Sequence, residues 1–323
     1  MPSSAVRTFT DPEEYFAGIR NLQIDGLVLR RGEFRARSTR TDLHRLWMHR
    51  FDEDLPRVMK VTPSGMRATI IFATHSGQAA VQVNGIEMSQ SQIAKISLNW
   101  EWCLRSSAPS EWGTMSLTPE DLVAAGETIT GHDLAPPADA CCVTPPAPAL
   151  SRLRKLHEAA GDLARTAPDI LAKPEVARAI EEALVEAMVF CLADRDSDHV
   201  SHIGHHRARI MRRLEKALIV TPDEPLYMAE LCAQVGASYW MLRDCCLHYL
   251  GMSPKRYLWL RRMHQARQAL RRAASERTTV TETASDYGFW ELGRFSVAYR
   301  SLFGESPSTT LRRPPDGPET YPK

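Results

Sequence analysis

"HYLGMSPKRYL" at 248–258 and "SLFGESPSTTL" at 301–311 carry the same local pattern twice in one chain. In both stretches an apolar run ends at a glycine, and Ser-Pro then opens a new run with apolar periodicity. Glycine closes helices because it adopts a left-handed conformation without a Cβ clash. Serine caps helix N-termini, and proline suits the first helical position. Each stretch therefore predicts the end of one helix and the immediate start of the next.

The segments that precede the two glycines resemble each other. They are "MAELCAQVGASYWMLRDCCLHYL" at 228–250 and "VTETASDYGFWELGRFSVAYRSLF" at 280–303, which is one residue longer in its internal turn. Each predicts a helix, a glycine-containing turn and a second helix, which is the helix-turn-helix layout. Ser238 is the predicted N-cap of the second helix in the first copy, and Thr279-Val-Thr-Glu282 is a capping box that opens the second copy.

A single helix is predicted between the two copies, in "PKRYLWLRRMHQARQALRRAAS" at 254–275. Its apolar residues recur at approximate helical spacing, namely Tyr257, Leu260, Met263 and Leu270. We expect its arginines elsewhere on the surface, namely Arg261, Arg262, Arg267, Arg271 and Arg272. A helix of about twenty residues is about 30 Å long. Successive major-groove segments on one face of B-DNA lie about 34 Å apart. One chain could therefore place two helices on one face of DNA.

Charge separates the chain into two parts that the overall net charge of +1 conceals. Residues 207–313 hold 18 Lys and Arg against 10 Asp and Glu, whereas residues 1–206 hold 21 against 27. Only the C-terminal third thus has the electrostatic character of a protein that binds a polyanion. The most apolar short run, "ATIIFAT" at 68–74, is too brief to span a bilayer, so we expect a cytoplasmic protein with no membrane partner.

Short stretches with period-two alternation dominate the first 130 residues and predict an antiparallel β-sandwich or barrel. Asn84-Gly85 lies between two such stretches and predicts a tight hairpin. Thr118 predicts the start of a helix over 118–129. From residue 151 the period changes to 3.6 and predicts two helices, the second beginning after Lys173-Pro174. These two helices could cover the sheet or form a dimer seam, and the sequence favours neither.

Residues 208–313 resemble the DNA-binding domain of the AraC/XylS family of bacterial transcription regulators. The resemblance rests on "LGMSPKRYLWLRRMHQAR", on "VTETASDYGFWELGRFSVAYRSLFGESPSTTLRR" and on the helix between them. Within that family, "GFWELGRFSVAYRSLFGESPS" is similar to the subgroup that contains the ethanolamine-utilisation operon regulator.

The resemblance implies an α+β chain of two domains. The first is a cupin-like sandwich or barrel followed by two helices, and the second is an all-α tandem helix-turn-helix domain joined by a long linker helix. We expect a sensor and dimerisation domain at 1–193 (β-rich over 1–135, helical over 151–193), a linker at 194–206, the DNA-binding domain at 207–313 and a flexible tail at 314–323. The expected partners are double-stranded DNA at promoter half-sites, an unknown small-molecule effector, a second copy of the chain and, for an activator, RNA polymerase.

Recognition helices are expected at 238–249 and 291–302, where the resemblance places the DNA contacts. The candidates are Ser238, Tyr239, Trp240, Arg243 and Asp244 in the first helix and Glu291, Gly293, Arg294 and Val297 in the second. Arg243 and Arg294 could donate to guanine O6 and N7 or could contact phosphates. Trp240 could contact a thymine methyl or sugar, or pack between helices. The backbone N–H groups at Ser253 and Ser306 could anchor phosphates.

The N-terminal part offers weaker signals of function. Trp47, Trp100 and Trp102 could line an effector pocket or belong to the core. The histidines at 199–206 lie in a predicted linker that could not hold a coordination geometry, so we expect no metal site and no cofactor.

Catalysis is not expected, although one alternative function remains open. The chain could be an enzyme or DNA-alkylation-repair protein that uses a cysteine nucleophile and is fused to a DNA-binding module. Cys141-Cys142 lies in a proline-rich stretch, and the sequence places no activating zinc ligand or histidine beside it.

Overall fold

The computed structural model describes residues 2–19, 22–63, 66–98, 101–138, 140–193, 197–198, 202–220, 228–273 and 278–313. The chain divides into two compact units. The N-terminal unit comprises residues 1–28 and 34–205, and the C-terminal unit comprises residues 29–33 and 206–323. The predicted tail and much of the predicted linker therefore lie outside the described residues. Among the described helices, none combines the length and the apolar character needed to cross a bilayer.

The N-terminal unit is built on two antiparallel sheets. Its strands are β1 (Ser3–Phe9), β2 (Leu22–Val28), β3 (Ala36–Asp42), β4 (Trp47–Glu53), β5 (Arg57–Pro63), β6 (Ala68–Ala73), β7 (Val81–Val83), β8 (Ile86–Met88), β9 (Ile93–Ile96), β10 (Trp102–Ser106), β11 (Ser110–Leu117), β12 (Cys141–Val143) and β13 (Ser197–Asp198). The larger sheet has the order β1-β3-β4-β11-β6-β9-β12-β13, and the smaller has the order β2-β5-β10-β7-β8. The predicted antiparallel sandwich is confirmed.

Helices complete this unit: α1 (Pro12–Ala17), α2 (Pro119–Thr130), α3 (Ala147–Thr166), α4 (Pro168–Leu171) and α5 (Pro174–Leu192). Thr118 caps α2 as predicted, since its hydroxyl accepts from Asp121 N at 3.1 Å. Asn84 and Gly85 adopt positive φ angles of 51° and 79° and form the predicted turn between β7 and β8. The helix expected from residue 151 begins four residues earlier, at Ala147, because Pro148 suits the first helical turn.

Alternating side chains of the larger sheet enter two different cores. Phe51, Ile71 and Trp112 pack against the smaller sheet. Met48 and Met115 point to the opposite face, where they pack with apolar residues of α3 and α5. This follows from the period of two along a strand. Helices α3 and α5 therefore cover the larger sheet of their own chain with their apolar faces. The expected dimer stays a prediction.

The C-terminal unit is helical. It consists of α6 (His202–Val220), α7 (Met228–Val235), α8 (Tyr239–Leu250), α9 (Pro254–Arg272), α10 (Val280–Asp286), α11 (Leu292–Phe303) and α12 (Pro307–Arg312). Helix α6 begins inside the predicted linker, because the histidine-rich segment continues into an amphipathic helix. Helix α9 is the predicted linker helix, and its 19 residues span about 28 Å.

One arginine of α9 contradicts the expectation of a surface position. Arg267 is buried, 5% exposed, and its guanidinium lies 5.1 Å from the Phe303 ring centroid and 3.7 Å from the Glu305 carboxylate. Its aliphatic stem and planar head can pack on an aromatic ring, which a count of charged residues does not reveal.

Candidate DNA interface and effector cavity

The first helix-turn-helix is formed by α7 and α8. Gly236 makes the turn with φ 65°, and the Ser238 hydroxyl caps α8 by accepting from Met241 N at 3.3 Å. Leu242 and Cys246 are buried against the neighbouring helices. On the outer face Trp240 is 71% exposed, and Arg243 and Asp244 are exposed beside it, while Tyr239 is half-buried.

An ion pair neutralises the acidic residue of this face. The Asp244 carboxylate accepts from Arg207 of α6, with both Nε and Nη2 at 3.0 Å from Oδ2. The Arg243 guanidinium lies 5.8 Å from the Trp240 ring centroid, within cation–π distance. Arg207 is thus a residue of this face that the repeat comparison missed, because it lies outside the repeat.

The second helix-turn-helix is formed by α10 and α11. The capping box is present in full, with Glu282 N donating to the Thr279 hydroxyl and Thr279 N to the Glu282 carboxylate. The Thr279 hydroxyl also donates to the Glu282 carboxylate at 2.8 Å, and this hydrogen bond, followed by the one from Thr279 N, lowers the pKa of Glu282. Gly288 makes the turn with φ 75°. In α11, Phe295 and Tyr299 are buried, whereas Phe303 is half-buried and contacts Tyr299 and His264.

The outer face of α11 differs from that of α8. Gly293 and Arg294 are exposed, and Val297 is 72% exposed. Arg294 Nη1 lies 2.6 Å from the carboxylate of half-buried Glu291, which precedes the helix and makes no side-chain cap. Since the Arg294 side chain is 85% exposed, this pair lies in solvent and contributes little to stability.

The two Gly-x-Ser-Pro motifs end and restart helices as predicted. Gly251 and Gly304 adopt left-handed φ angles of 68° and 79°. The hydroxyls of Ser253 and Ser306 cap α9 and α12, accepting from Arg256 N at 3.3 Å and Thr309 N at 3.1 Å. These caps account for the serine side chains, and the suggested phosphate contacts would use backbone N–H groups.

Buried polar contacts join the linker helix to α6 and the second recognition helix to α12. The Tyr257 hydroxyl donates to the Glu215 carboxylate of α6 at 2.9 Å. In the second copy, the Tyr299 hydroxyl lies 2.8 Å from that of Thr310 in α12, and Thr310 donates to Glu305 at 2.9 Å. The spacing of the two outer faces is therefore set by packed and hydrogen-bonded structure.

A cavity of about 70 Å³ lies in the N-terminal unit beside the core that packs against the smaller sheet. Trp47 and Trp102 both line it, together with the aromatic rings of Phe51 and Trp112. Trp100 lies outside the described residues. The structure thus brings two of the three candidate tryptophans to one cavity, although they come from strands of different sheets.

One cationic side chain forms part of the cavity wall. Arg67 lies 3.9 Å from the Trp47 ring centroid, and it donates to the Ser116 carbonyl at 2.7 Å and the Ser116 hydroxyl at 3.2 Å. His49 and Thr69 add further polar groups to the lining. No local pattern in the sequence indicates Arg67 or His49 as lining residues, since their position depends on strand register across the sheet.

The cysteines offer little support for a nucleophile. Cys142 is buried, and burial raises the pKa of the half-buried Cys141 thiol despite the nearby charge of Lys95. A raised pKa reduces the thiolate that nucleophilic attack requires. No group of three or more His, Cys, Asp or Glu able to hold a metal occurs in the part of the chain that the structure describes.

The geometry defines the C-terminal unit as a tandem helix-turn-helix domain in which α8 and α11 each end at a left-handed glycine and α9 lies between the two copies. Residues 231–313 match the family described as "Helix-turn-helix domain". The chain is 40% identical over 93 residues to the "Probable thc operon regulatory protein" of Rhodococcus erythropolis, covering 29% of this chain and 28% of that protein. It is 45% identical over 86 residues to the "XylDLEGF operon transcriptional activator" of Pseudomonas putida, covering 27% and 26%.

A solved structure gives a further match. The chain is 31% identical to a probable AraC family transcriptional regulator from Rhodopseudomonas palustris, covering 32% of this chain and 95% of that one, with a TM-score of 0.29. Residues 231–313 are a helix-turn-helix domain, in agreement with the tandem helix-turn-helix layout predicted for this segment. The chain spans only about a quarter of the length of the two operon regulators it matches.

Proposed function

We propose that the chain is a sequence-specific DNA-binding transcription regulator, an activator, that responds to a small-molecule effector bound by its N-terminal unit. One observation carries the proposal. Two recognition helices, α8 and α11, belong to a single basic unit and are joined by a 19-residue helix. Its length of about 28 Å is close to the spacing of successive major-groove segments, about 34 Å.

The proposed base contacts come from the outer faces of these helices. Arg243 and Arg294 are the candidates for guanine, because a guanidinium fork matches O6 and N7. The Arg294 side chain is 85% exposed, so it would exchange its ion pair with half-buried Glu291 for a base edge at little cost. Asp244 would approach DNA as part of a pair with Arg207. The backbone N–H groups of Ser253 and Ser306 are proposed to contact phosphates.

Selection from a random duplex library is expected to enrich one sequence for the full-length protein. On that duplex, Arg294→Ala should relax discrimination at one base pair by about 1–3 kcal/mol. Arg294→Lys is the matched control, since lysine keeps the charge and loses the bidentate fork. An alanine variant that weakens binding to all sequences equally, together with a lysine variant that restores that affinity, would assign Arg294 to phosphate. Failure to enrich any sequence would refute the proposed function.

The effector is proposed to occupy the cavity between Trp47 and Trp102. A compound present at a hundred times its dissociation constant should stabilise the folded protein by about 2.7 kcal/mol. A thermal-shift screen of small metabolites should therefore identify it, and Trp47→Leu should abolish the shift. Ile170→Ala, an exposed substitution in the same unit, should leave the shift intact. A shift that survives Trp47→Leu would place the effector elsewhere.

The remaining features of the proposal concern partners and location. We propose a homodimer, contact with RNA polymerase at the promoter, a cytoplasmic location and no catalytic activity. Membership of the subgroup containing the ethanolamine-utilisation operon regulator rests only on the similarity of residues 288–308 to that subgroup. The cysteine-nucleophile alternative gains no support from Cys141, whose thiol has a raised pKa.

A further inference from the structure

The outermost stripe of α11 can be located from its buried residues. Phe295, Tyr299 and Leu302 face the core. With 100° between successive residues, the stripe directly opposite contains Gly293, Val297 and Arg300. All three are exposed, and Val297 is among the most exposed large apolar residues of the described chain. An α11 that docks in a major groove would therefore present a glycine and a valine at its centre.

Neither the backbone nor the packing of the described residues explains why position 293 is a glycine. Gly293 has no positive φ angle, so its backbone conformation is open to any residue. A Cβ atom built on it meets no atom within 4 Å, so packing does not exclude a side chain either. Glycine inside a helix is less favourable than alanine. Glycine at position 293 thus lowers the stability of α11, and among the described residues it relieves neither a clash nor backbone strain.

Val297 restricts what this stripe can recognise. An isopropyl group neither donates nor accepts hydrogen bonds, so it cannot discriminate the donor and acceptor pattern of base edges. The one apolar feature of the major groove is the C5 methyl group of thymine. On α8 the corresponding outer stripe contains Trp240 and the Asp244–Arg207 pair, which offer an aromatic ring and charged groups instead.

We propose that Gly293 and Val297 form an apolar notch that receives the C5 methyl group of one thymine. Gly293 lets the DNA approach the helix backbone, and Val297 covers the methyl group. The second recognition helix would then specify thymine by methyl contact at its centre, with Arg294 at its flank. This inference rests on the proposed function, since it identifies a base that the proposed DNA site must contain.

The test uses the duplex enriched by the full-length protein, resynthesised with deoxyuridine at one thymine position at a time. Deoxyuridine pairs as thymine does and lacks only the methyl group. We expect one position at which this change weakens binding about fourfold, the effect of uncovering one buried methyl group. With Val297→Ala, thymine and uracil duplexes should bind equally at that position, which is the signature of a direct coupling.

Gly293→Ala separates recognition from stability. It should raise the melting temperature by a few degrees, because alanine favours the helix, and it should weaken binding to the thymine duplex. Thr281→Ala is the matched control, since it places alanine at an exposed position of α10 away from the notch. That variant should bind DNA as the wild type does.

The results separate the notch from the proposed function. If no duplex is enriched, the proposed function fails before the notch is tested. If a duplex is enriched and no uracil position matters, or if uracil weakens the Val297→Ala variant equally, the methyl contact is wrong. Undiminished DNA affinity of Gly293→Ala would overturn the role assigned to the glycine.

Discussion

Glu53→Leu is expected to lower the free energy of unfolding of the N-terminal unit by about 3–5 kcal/mol. Glu53 is 1% exposed, and its carboxylate accepts from the Nε of fully buried Arg57 and from the hydroxyl of Tyr15. The two terminal nitrogens of Arg57 have no hydrogen-bond partner among the described residues. Leucine would therefore leave a buried cation without its counter-charge and a buried phenol without its acceptor.

Urea unfolding monitored by tryptophan fluorescence would measure this loss. The double variant Glu53→Leu/Arg57→Met should recover most of it, because a buried ion pair replaced by apolar residues of similar volume is often near neutral. Asp52→Leu provides the surface control. Its partner Arg37 is 2.8 Å away but the pair is exposed, so the change should cost about 1 kcal/mol or less. Equal costs for the two single leucine variants would show that burial of the pair is not what matters.

Local chemistry made the C-terminal unit predictable. Caps and turns depend on residues within about four positions, so Gly251, Ser253, Gly304 and Ser306 indicated where helices end and begin. The hairpin at Asn84-Gly85 was predictable for the same reason. These signals need no knowledge of the rest of the chain.

Contacts between distant segments were not predictable. Arg207 approaches Asp244 only because α6 packs beside α8, and Arg67 reaches Trp47 only through the order of strands in the larger sheet. The burial of Arg267 likewise depends on the position of Phe303, 36 residues later. Residues of this kind complete both candidate sites. Sequence patterns therefore indicated the candidate sites and did not indicate the side chains that contact them from distant segments.

The N-terminal unit should lose stability in mild acid through His157 on α3. This imidazole is fully buried against Phe72, and its Nε2 lies 3.2 Å from the His49 carbonyl oxygen. Burial first, and then the charge of Arg50, lowers the pKa of His157 from 6.5 to about 3. The folded protein thus keeps the ring neutral between those values, whereas the unfolded chain takes up a proton below pH 6.5.

The sign of the effect follows from which state binds the proton. Because only the unfolded state is protonated, stability is constant above pH 6.5, falls as the pH decreases and stops falling near pH 3. At pH 5 the loss from this residue should be about 2 kcal/mol. Urea unfolding at pH 7 and pH 5 would measure it. His157→Gln should be less stable at pH 7, since the ring contact with Phe72 is lost, and should show a smaller decrease on acidification.

A surface histidine provides the control for assigning the loss of stability in acid to His157. His44 is exposed, so His44→Gln should keep the full difference between pH 7 and pH 5. His49 lines the cavity that also contains Trp47, and its carbonyl oxygen contacts His157, so helix α3 touches the cavity wall directly. If His157→Gln and His44→Gln show the same dependence on pH as the wild type, other groups control acid stability and the buried imidazole is not the cause.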